Sequence, residues 1–167
     1  MQRPQVLFLV KFFVILIAAY LVIAWNPVND HVIVPFTAAI ARMSGWLLNL
    51  MGQGVVMNGT VISSPRFAVN INNGCNGVEA MLILLASIVA FPATLRARAI
   101  GLGLGALAIQ VLNAIRILTL YLLGAYYPKL FDAFHTAVWQ IIIILAAIVF
   151  FLIWSNRVGP SRLATRT

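Results

Sequence analysis

Residues 6 to 25, VLFLVKFFVILIAAYLVIAW, are apolar throughout apart from Lys11. About 20 such residues, as a helix rising 1.5 Å per residue, cross a hydrocarbon core about 30 Å thick. The run is too long and too uniformly apolar for an ordinary amphipathic surface helix, so it fixes the solvent this chain folds in. The rest of the composition agrees. Of 167 residues, 63% are hydrophobic and 8% charged, with mean hydropathy +1.03. A soluble domain carries about a quarter charged residues. The expected fold is an all-α, polytopic helical membrane bundle. Arg3 and Lys11 precede or open the first run, as in a secretory leader. No small-x-small cleavage site precedes Asn26, so an uncleaved anchor is expected.

Net charge is +8, from 11 Lys+Arg against 3 Asp+Glu. The basic residues are scattered rather than striped along one face, which argues against a nucleic-acid partner and for charges flanking membrane helices. A single Cys excludes an internal disulfide, a CxxC redox pair and a cysteine-rich zinc site. One Cys, two His and three acids argue against a buried metal. No cofactor is expected.

The chain reads as one integral-membrane domain, 1–167. Its first span is 6–25. Over 32–51, Ile33, Phe36, Ile40, Met43, Leu47 and Leu50 recur at helical spacing, with His31, Ala38, Arg42, Gly45 and Asn49 opposite. This predicts an amphipathic helix at the membrane surface, with a full span as the alternative. Residues 52–74 change pattern. Val and Ile flank Asn58-Gly59, a two-residue turn signal, and FAVNI alternates, so a small extracytoplasmic β-like hairpin is expected. Further spans follow at 77–95, 100–123 and 136–154, and a basic tail at 155–167. Arg96 and Arg98 separate the second and third spans, and GAYYPKLFDAF the third and fourth. Gly101 and Gly105 form GxxxG, whose ordinary meaning is close helix packing. The expected bundle therefore has about four transmembrane helices. Arg96, Arg98, Arg157, Arg162 and Arg166 favour the cytoplasm, and Arg3 agrees if residues 26–73 stay outside.

That topology brings three chemically active residues to one depth. Cys75, in NNGCNGVEAML, opens the second span. Arg116 lies about 16 residues, or 24 Å, from the inner end of the third. His135 opens the fourth. A lone Cys is often a small buried hydrophobe. This one sits between Gly74 and Gly77 at a helix start, where the helix N-terminus and a nearby cation lower a thiol's pKa. An arginine in lipid costs roughly 2.5–3.5 kcal/mol on insertion scales, so Arg116 needs a reason. Either it snorkels or pairs with Glu79, one turn inside from Cys75, or it has a chemical role. Asn113, three residues earlier on the same face, could hold the guanidinium, a substrate carbonyl or a neighbouring helix. His135 is an interfacial polar residue or, beside a Cys, a general base. Asp132 could orient its ring or cap the helix. His31 has no convergent partner. Ser63, Ser64 and Ser87 lack comparable surroundings. Together Cys75 as nucleophile, His135 as acid–base and Arg116 at the oxyanion suggest acyl transfer.

At NNGCNGVEA, NAIR and FHTAVW the sequence resembles the exosortase/archaeosortase family of membrane transpeptidases, over about residues 70 to 155. Its length and the NNGCNGVEAM stretch look most like the exosortase H subgroup. The resemblance implies Cys75, Arg116 and His135 as catalytic residues; the surroundings of these three add Asn76, Gly77, Glu79, Asn113 and Asp132 as supporting residues. It implies substrates that are membrane-anchored proteins with a C-terminal sorting signal: a short motif, a transmembrane helix and a basic end. These are cut at the outer face and passed to an acceptor. It also implies the bacterial inner membrane, with the active site on the extracytoplasmic side. Many members have about twice as many spans, which this chain lacks. Two other readings stand beside it. One is a non-enzymatic membrane subunit with a structural Arg116–Glu79 pair. The other is a thiol redox protein, disfavoured by the single Cys.

Overall fold

The computed structural model describes residues 3–159; the expected tail from residue 160, with Arg162 and Arg166, lies outside the described residues. The chain runs α1 (Arg3–Ala24), α2 (Asn26–Val28), α3 (Val34–Leu50), β1 (Val56–Asn58), β2 (Val61–Ser63), β3 (Ala68–Asn70), α4 (Val78–Ala90), α5 (Leu95–Tyr126), α6 (Pro128–Ala133) and α7 (Trp139–Val158). π turns at Asn29–Ile33 and Phe134–Val138 join α2 to α3 and α6 to α7. Four continuous helices are long and apolar enough to cross a membrane: Arg3–Ala24, Asn26–Leu50, Leu95–Tyr126 and Pro128–Val158. The chain is a polytopic helical membrane protein, and the small sheet is its only β structure among the described residues.

The number of long apolar helices matches the expected four, but their membership differs. The helix expected over 77–95 ends at Ala90, because Phe91 is extended (ψ 137°) ahead of Pro92, as a residue before proline tends to be. Its 13 residues make about 20 Å, short of a full crossing. Thr94 then caps α5, its hydroxyl accepting from Ala97 N–H at 3.3 Å, so Arg96 and Arg98 fall in the first turn of α5 rather than in a linker. The third helix grows from 100–123 to 32 residues, about 48 Å. The fourth begins at Pro128, absorbing most of the expected loop.

Where α4, α5 and α7 pack together, Leu84, Ile88, Ile109, Ala147 and Trp154 form the core. The GxxxG pair does what its spacing implies. A Cβ on Gly101 would overlap the Trp154 indole, and one on Gly105 would come within 2.9 Å of Leu84 Cδ2. The Trp154 indole N–H donates to Ala97 O at 3.3 Å. α1 lies against α4 and buries none of its own residues.

At the Cys75 end a cap of different construction sits on the bundle. β1, β2 and β3 form an antiparallel sheet in that order. Asn58 pairs with Val61, so the two-residue turn is Gly59-Thr60, one position later than the Asn58-Gly59 signal suggests. Gly59 takes φ +60° and Thr60 does not go positive, the pattern of a turn with glycine first. Behind the sheet, Ile40, Ala41, Leu48, Val55, Ile62, Ile71, Ile117 and Tyr121 make one core. α3 meets α5 only from Ile117 onward in that cluster, which is the stretch of α5 in excess of a membrane thickness. The face α3 buries is not the expected stripe. Thr37, Ile40, Ala41, Ser44, Gly45 and Leu48 turn inward, with Gly45 against Met57. Met43, Trp46 and Leu50 are exposed. The small residues face protein because helix and sheet approach closely there, which leaves the large apolar ones outside, beside exposed Arg42 and Asn49.

Candidate active site

Cys75 rides on a loop held by its neighbours rather than on a helix. Its N–H donates to Asn72 O at 2.9 Å. Gly74 (φ +86°) and Gly77 (φ +76°) occupy the left-handed region, where a side chain is disfavoured. Gly77 is also the N-cap of α4, and a Cβ there would meet Asn113 Cγ at 3.0 Å. Asn76 is fully buried and ties the loop to three places. Its amide N–H donates to Thr37 Oγ1 (3.0 Å) and Asn73 Oδ1 (3.2 Å), and its Oδ1 accepts from Val78 N–H (3.1 Å). Gln110 of α5 donates to Asn76 O at 3.4 Å. Glu79, in the first turn of α4, reaches back to accept from Gly74 N–H at 2.8 Å.

Against this loop the structure sets His135 and Arg116. His135 Nε2 lies 3.0 Å from Cys75 Sγ. It is not at the start of a span, as expected, but inside the continuous 128–158 helix, in the π turn where Trp139 N–H bonds Phe134 O. Its ring stacks on Phe131, four residues back, at 5.5 Å and 7°. Asp132 neither orients the ring nor caps the helix; its backbone carbonyl accepts from Thr136 Oγ1 (2.7 Å). Arg116 is 3% exposed. Its Nη1 donates to Gly74 O (3.2 Å), and its Nη2 reaches both Sγ (3.8 Å) and His135 O (3.5 Å). No hydrogen bond joins it to Glu79, so the pair on which the non-enzymatic reading depends is not formed. Asn113 does not hold the guanidinium either. It is fully buried behind Gly77 with neither amide atom partnered.

The electrostatics depart from expectation. Burial pushes the Cys75 thiol above its ordinary value; the Arg116 guanidinium pulls it down and the Glu79 carboxylate pushes it up, without reversing the balance. The expected lowering by the nearby cation is outweighed by desolvation, because the thiol packs against the cap core. Cys75 Sγ and His135 Nε2 lie within reach of a direct proton transfer.

His31 stays apart, with Nδ1 on Pro27 O at 3.0 Å. The serines are engaged: Ser87 Oγ donates to Ile83 O, Ser64 Oγ accepts from Tyr121 OH, and Ser63 Oγ donates to Val56 O. Two contributors were not foreseen, Phe131 and Gln110. Both were signalled by spacing. Phe131 and His135 are i, i+4, while Gln110, Asn113 and Arg116 repeat every three residues in an apolar helix.

A cavity of about 200 Å³ adjoins the site, lined at its polar end by Gly74, Glu79, Arg116 and Gln140. A family model described as transmembrane exosortase matches residues 3–154. No curated protein and no solved structure matches the chain.

Proposed function

Because the chain belongs to the transmembrane exosortase family, we propose that Cys75, His135 and Arg116 make it a cysteine-dependent membrane peptidase or transpeptidase. The observation that carries the reading is the 3.0 Å approach of His135 Nε2 to Cys75 Sγ beside a buried arginine. A nucleophile within hydrogen-bond reach of a base, with a cation beside both, is the constellation acyl transfer needs.

In the first step Sγ attacks a peptide carbonyl carbon while His135 Nε2 takes the thiol proton. The carbonyl oxygen becomes an oxyanion facing the Arg116 guanidinium. The C–N bond then breaks, the imidazolium returns its proton to the leaving amine, and a thioester on Cys75 remains. An acceptor amine or water attacks the thioester, gives its proton to His135, and the thiolate leaves to recover that proton. Glu79, Asn76 and Gly77 hold the loop; Phe131 holds the ring.

The substrate we propose is a membrane-anchored protein whose C-terminal sorting signal ends in an apolar helix and a basic tail. The protein sits in the bacterial inner membrane with Cys75 on the extracytoplasmic side. Charge supports this orientation. Arg96 and Arg98 open α5 and Arg157 ends α7 at the end away from Cys75, and Arg3 lies there too, since Phe8 contacts Phe91 and Phe151. The Cys75 end carries three exposed basic residues, Arg42, Arg66 and Lys129, against Arg3, Lys11, Arg96, Arg98 and Arg157 at the other. The test is Cys75→Ser. It should accumulate as wild type does and leave a co-expressed sorting-signal substrate full length, because a hydroxyl is far less ionised and a weaker nucleophile. Normal processing by Cys75→Ser would exclude covalent catalysis at this thiol.

A further inference from the structure

At the end of the bundle away from Cys75, α1 carries two cations over an apolar cleft. Arg3, Leu7 and Lys11 recur every four residues and so form one stripe of the helix. With Pro4 and Phe8 they line a cleft of about 530 Å³, whose other side is Ala90 and Pro92, where α4 ends. Phe8 fixes the stripe in place, its ring centroid 6.5 Å from that of Phe91 and 6.0 Å from that of Phe151.

No acidic side chain of the protein is placed to neutralise these cations. There are three acids in all, and each belongs to the Cys75 end. Asp30 accepts from Asn29, which is tied to the Cys75 loop through Asn73. Glu79 accepts from Gly74 N–H, and Asp132 lies three residues before His135. Among the described residues Arg3 and Lys11 have no hydrogen-bond or ion-pair partner. Lys11 is the sharper case. It sits two turns, about 12 Å, deeper than Arg3, inside the first apolar run, where an ammonium is costly unless it reaches the interface or meets an anion. Helical side chains lean toward the N-terminus, so Lys11 leans toward Arg3 along the cleft. The basic end of a sorting signal is repelled by both cations. A soluble acidic partner reaches Arg3 but not a lysine two turns deeper. An anionic phospholipid matches the charge, the depth and the apolar wall together.

We propose that the cleft between α1 and the end of α4 holds an anionic phospholipid, its phosphate bridging Arg3 and Lys11 and its first methylenes against Phe8 and Pro92. Bound there, the lipid ties down a helix that buries none of its own residues. That helix also supplies Tyr20 to the cavity beside Arg116, so a lipid that holds α1 holds one wall of that cavity. The site does not depend on the cysteine-peptidase reading.

The test titrates the full chain in dodecylmaltoside with dioleoylphosphatidylglycerol or dioleoylphosphatidylcholine and counts bound lipid by native mass spectrometry. The acyl chains are the same, so the two lipids differ in the headgroup. Each cation beside an anionic lipid is worth about fivefold in affinity, so phosphatidylglycerol should bind at least about tenfold more tightly. Arg3→Gln with Lys11→Gln should bring that preference to within about twofold. Arg157→Gln removes a cation of the same end outside the cleft and should keep at least half of the preference. Leu7→Trp narrows the cleft from its exposed rim, leaves both charges, and should weaken phosphatidylglycerol at least about threefold. A hundredfold excess of sn-glycerol 3-phosphate should not displace the lipid, because it lacks acyl chains. Melting temperatures without added lipid show that each variant is folded, and Leu7→Trp decides if the double variant is not. Equal affinity for the two lipids, a preference that survives the double variant, or an equal loss in Arg157→Gln (charge spread over the whole end) would each overturn the proposal. So would unchanged affinity in Leu7→Trp, or displacement by glycerol phosphate (a site for free anions).

Discussion

Arg116→Lys keeps the charge and removes the fork, and so separates the two things the guanidinium does. In the wild type one planar group spans two chain segments, with Nη1 on Gly74 O at 3.2 Å and Nη2 between Sγ at 3.8 Å and His135 O at 3.5 Å. A lysine ends in a single ammonium and cannot donate to the Cys75 loop and the π turn in one planar geometry. Loss of one preorganised oxyanion donor costs about 10²–10³ in kcat, about 2.7–4 kcal/mol of transition-state stabilisation. Arg116→Lys should therefore process substrate at least about 100-fold more slowly, nearly as badly as Arg116→Gln. The assay is the rate at which a membrane-anchored substrate, followed by gel mobility, becomes its shortened product. Accumulation in the membrane and the melting temperature in detergent report folding separately. Arg116→Lys that retains a third or more of the wild-type rate would mean that charge alone suffices, and the fork argument would be wrong. A fully active double variant, Glu79→Gln with Arg116→Gln, would return the arginine to a structural role.

Cys75 alkylation by iodoacetamide should rise with pH through a midpoint above the ordinary thiol value. Arg116→Gln should move that midpoint further up and Glu79→Gln should move it down, since the first removes the lowering influence and the second a raising one; shifts of the opposite sign would refute the electrostatic account. Phe131→Ala should lower kcat by about tenfold with little change in stability, because it frees the imidazole to rotate rather than removing a reacting group; an unchanged kcat would leave the stack as packing only. Gly77→Ala should destabilise the chain by about 1–2 kcal/mol from the left-handed φ alone, with a further loss from the 3.0 Å approach to Asn113. A melting temperature within a degree of wild type would show that the loop relaxes freely.

What the sequence reveals of this site follows from depth. Cys75, Arg116 and His135 stand at similar distances along three apolar runs, and helices of fixed rise convert distance along the chain into distance across the membrane. That argument needs only approximate ends, so it survives helix boundaries that move by several residues. It fails for whatever depends on side-chain direction. Asp132 and His135 are three apart and could have met. The π turn that carries His135 follows instead, and the ring settles on Phe131. Glu79 and Arg116 have opposite charge and similar depth, yet the carboxylate closes on Gly74 N–H. The inward face of α3 departs from the expected stripe for a related reason. Periodicity in a soluble helix marks the buried face by its large apolar residues, whereas lipid rewards them equally on the outside, and close packing then selects Thr37, Ala41, Ser44 and Gly45 for the interior.

The most consequential feature of the site is what Arg116 lacks. Its hydrogen bonds go to two backbone carbonyls and a sulfur, none of them a carboxylate. A buried guanidinium with neutral partners costs stability, because partial charges repay only part of its desolvation. Pairing with Glu79 would recover that cost and would also spend the positive field on a permanent anion. Glu79 is kept occupied by the very loop that Arg116 holds from the other side, through Gly74 N–H in one case and Gly74 O in the other. Gly74 thus engages both charges, one through each of the two peptide units that flank its Cα. On the proposed mechanism, the field of Arg116 then meets its first full negative charge when the thiol adds to a carbonyl, so its stabilising effect falls on the transition state and not on the resting protein.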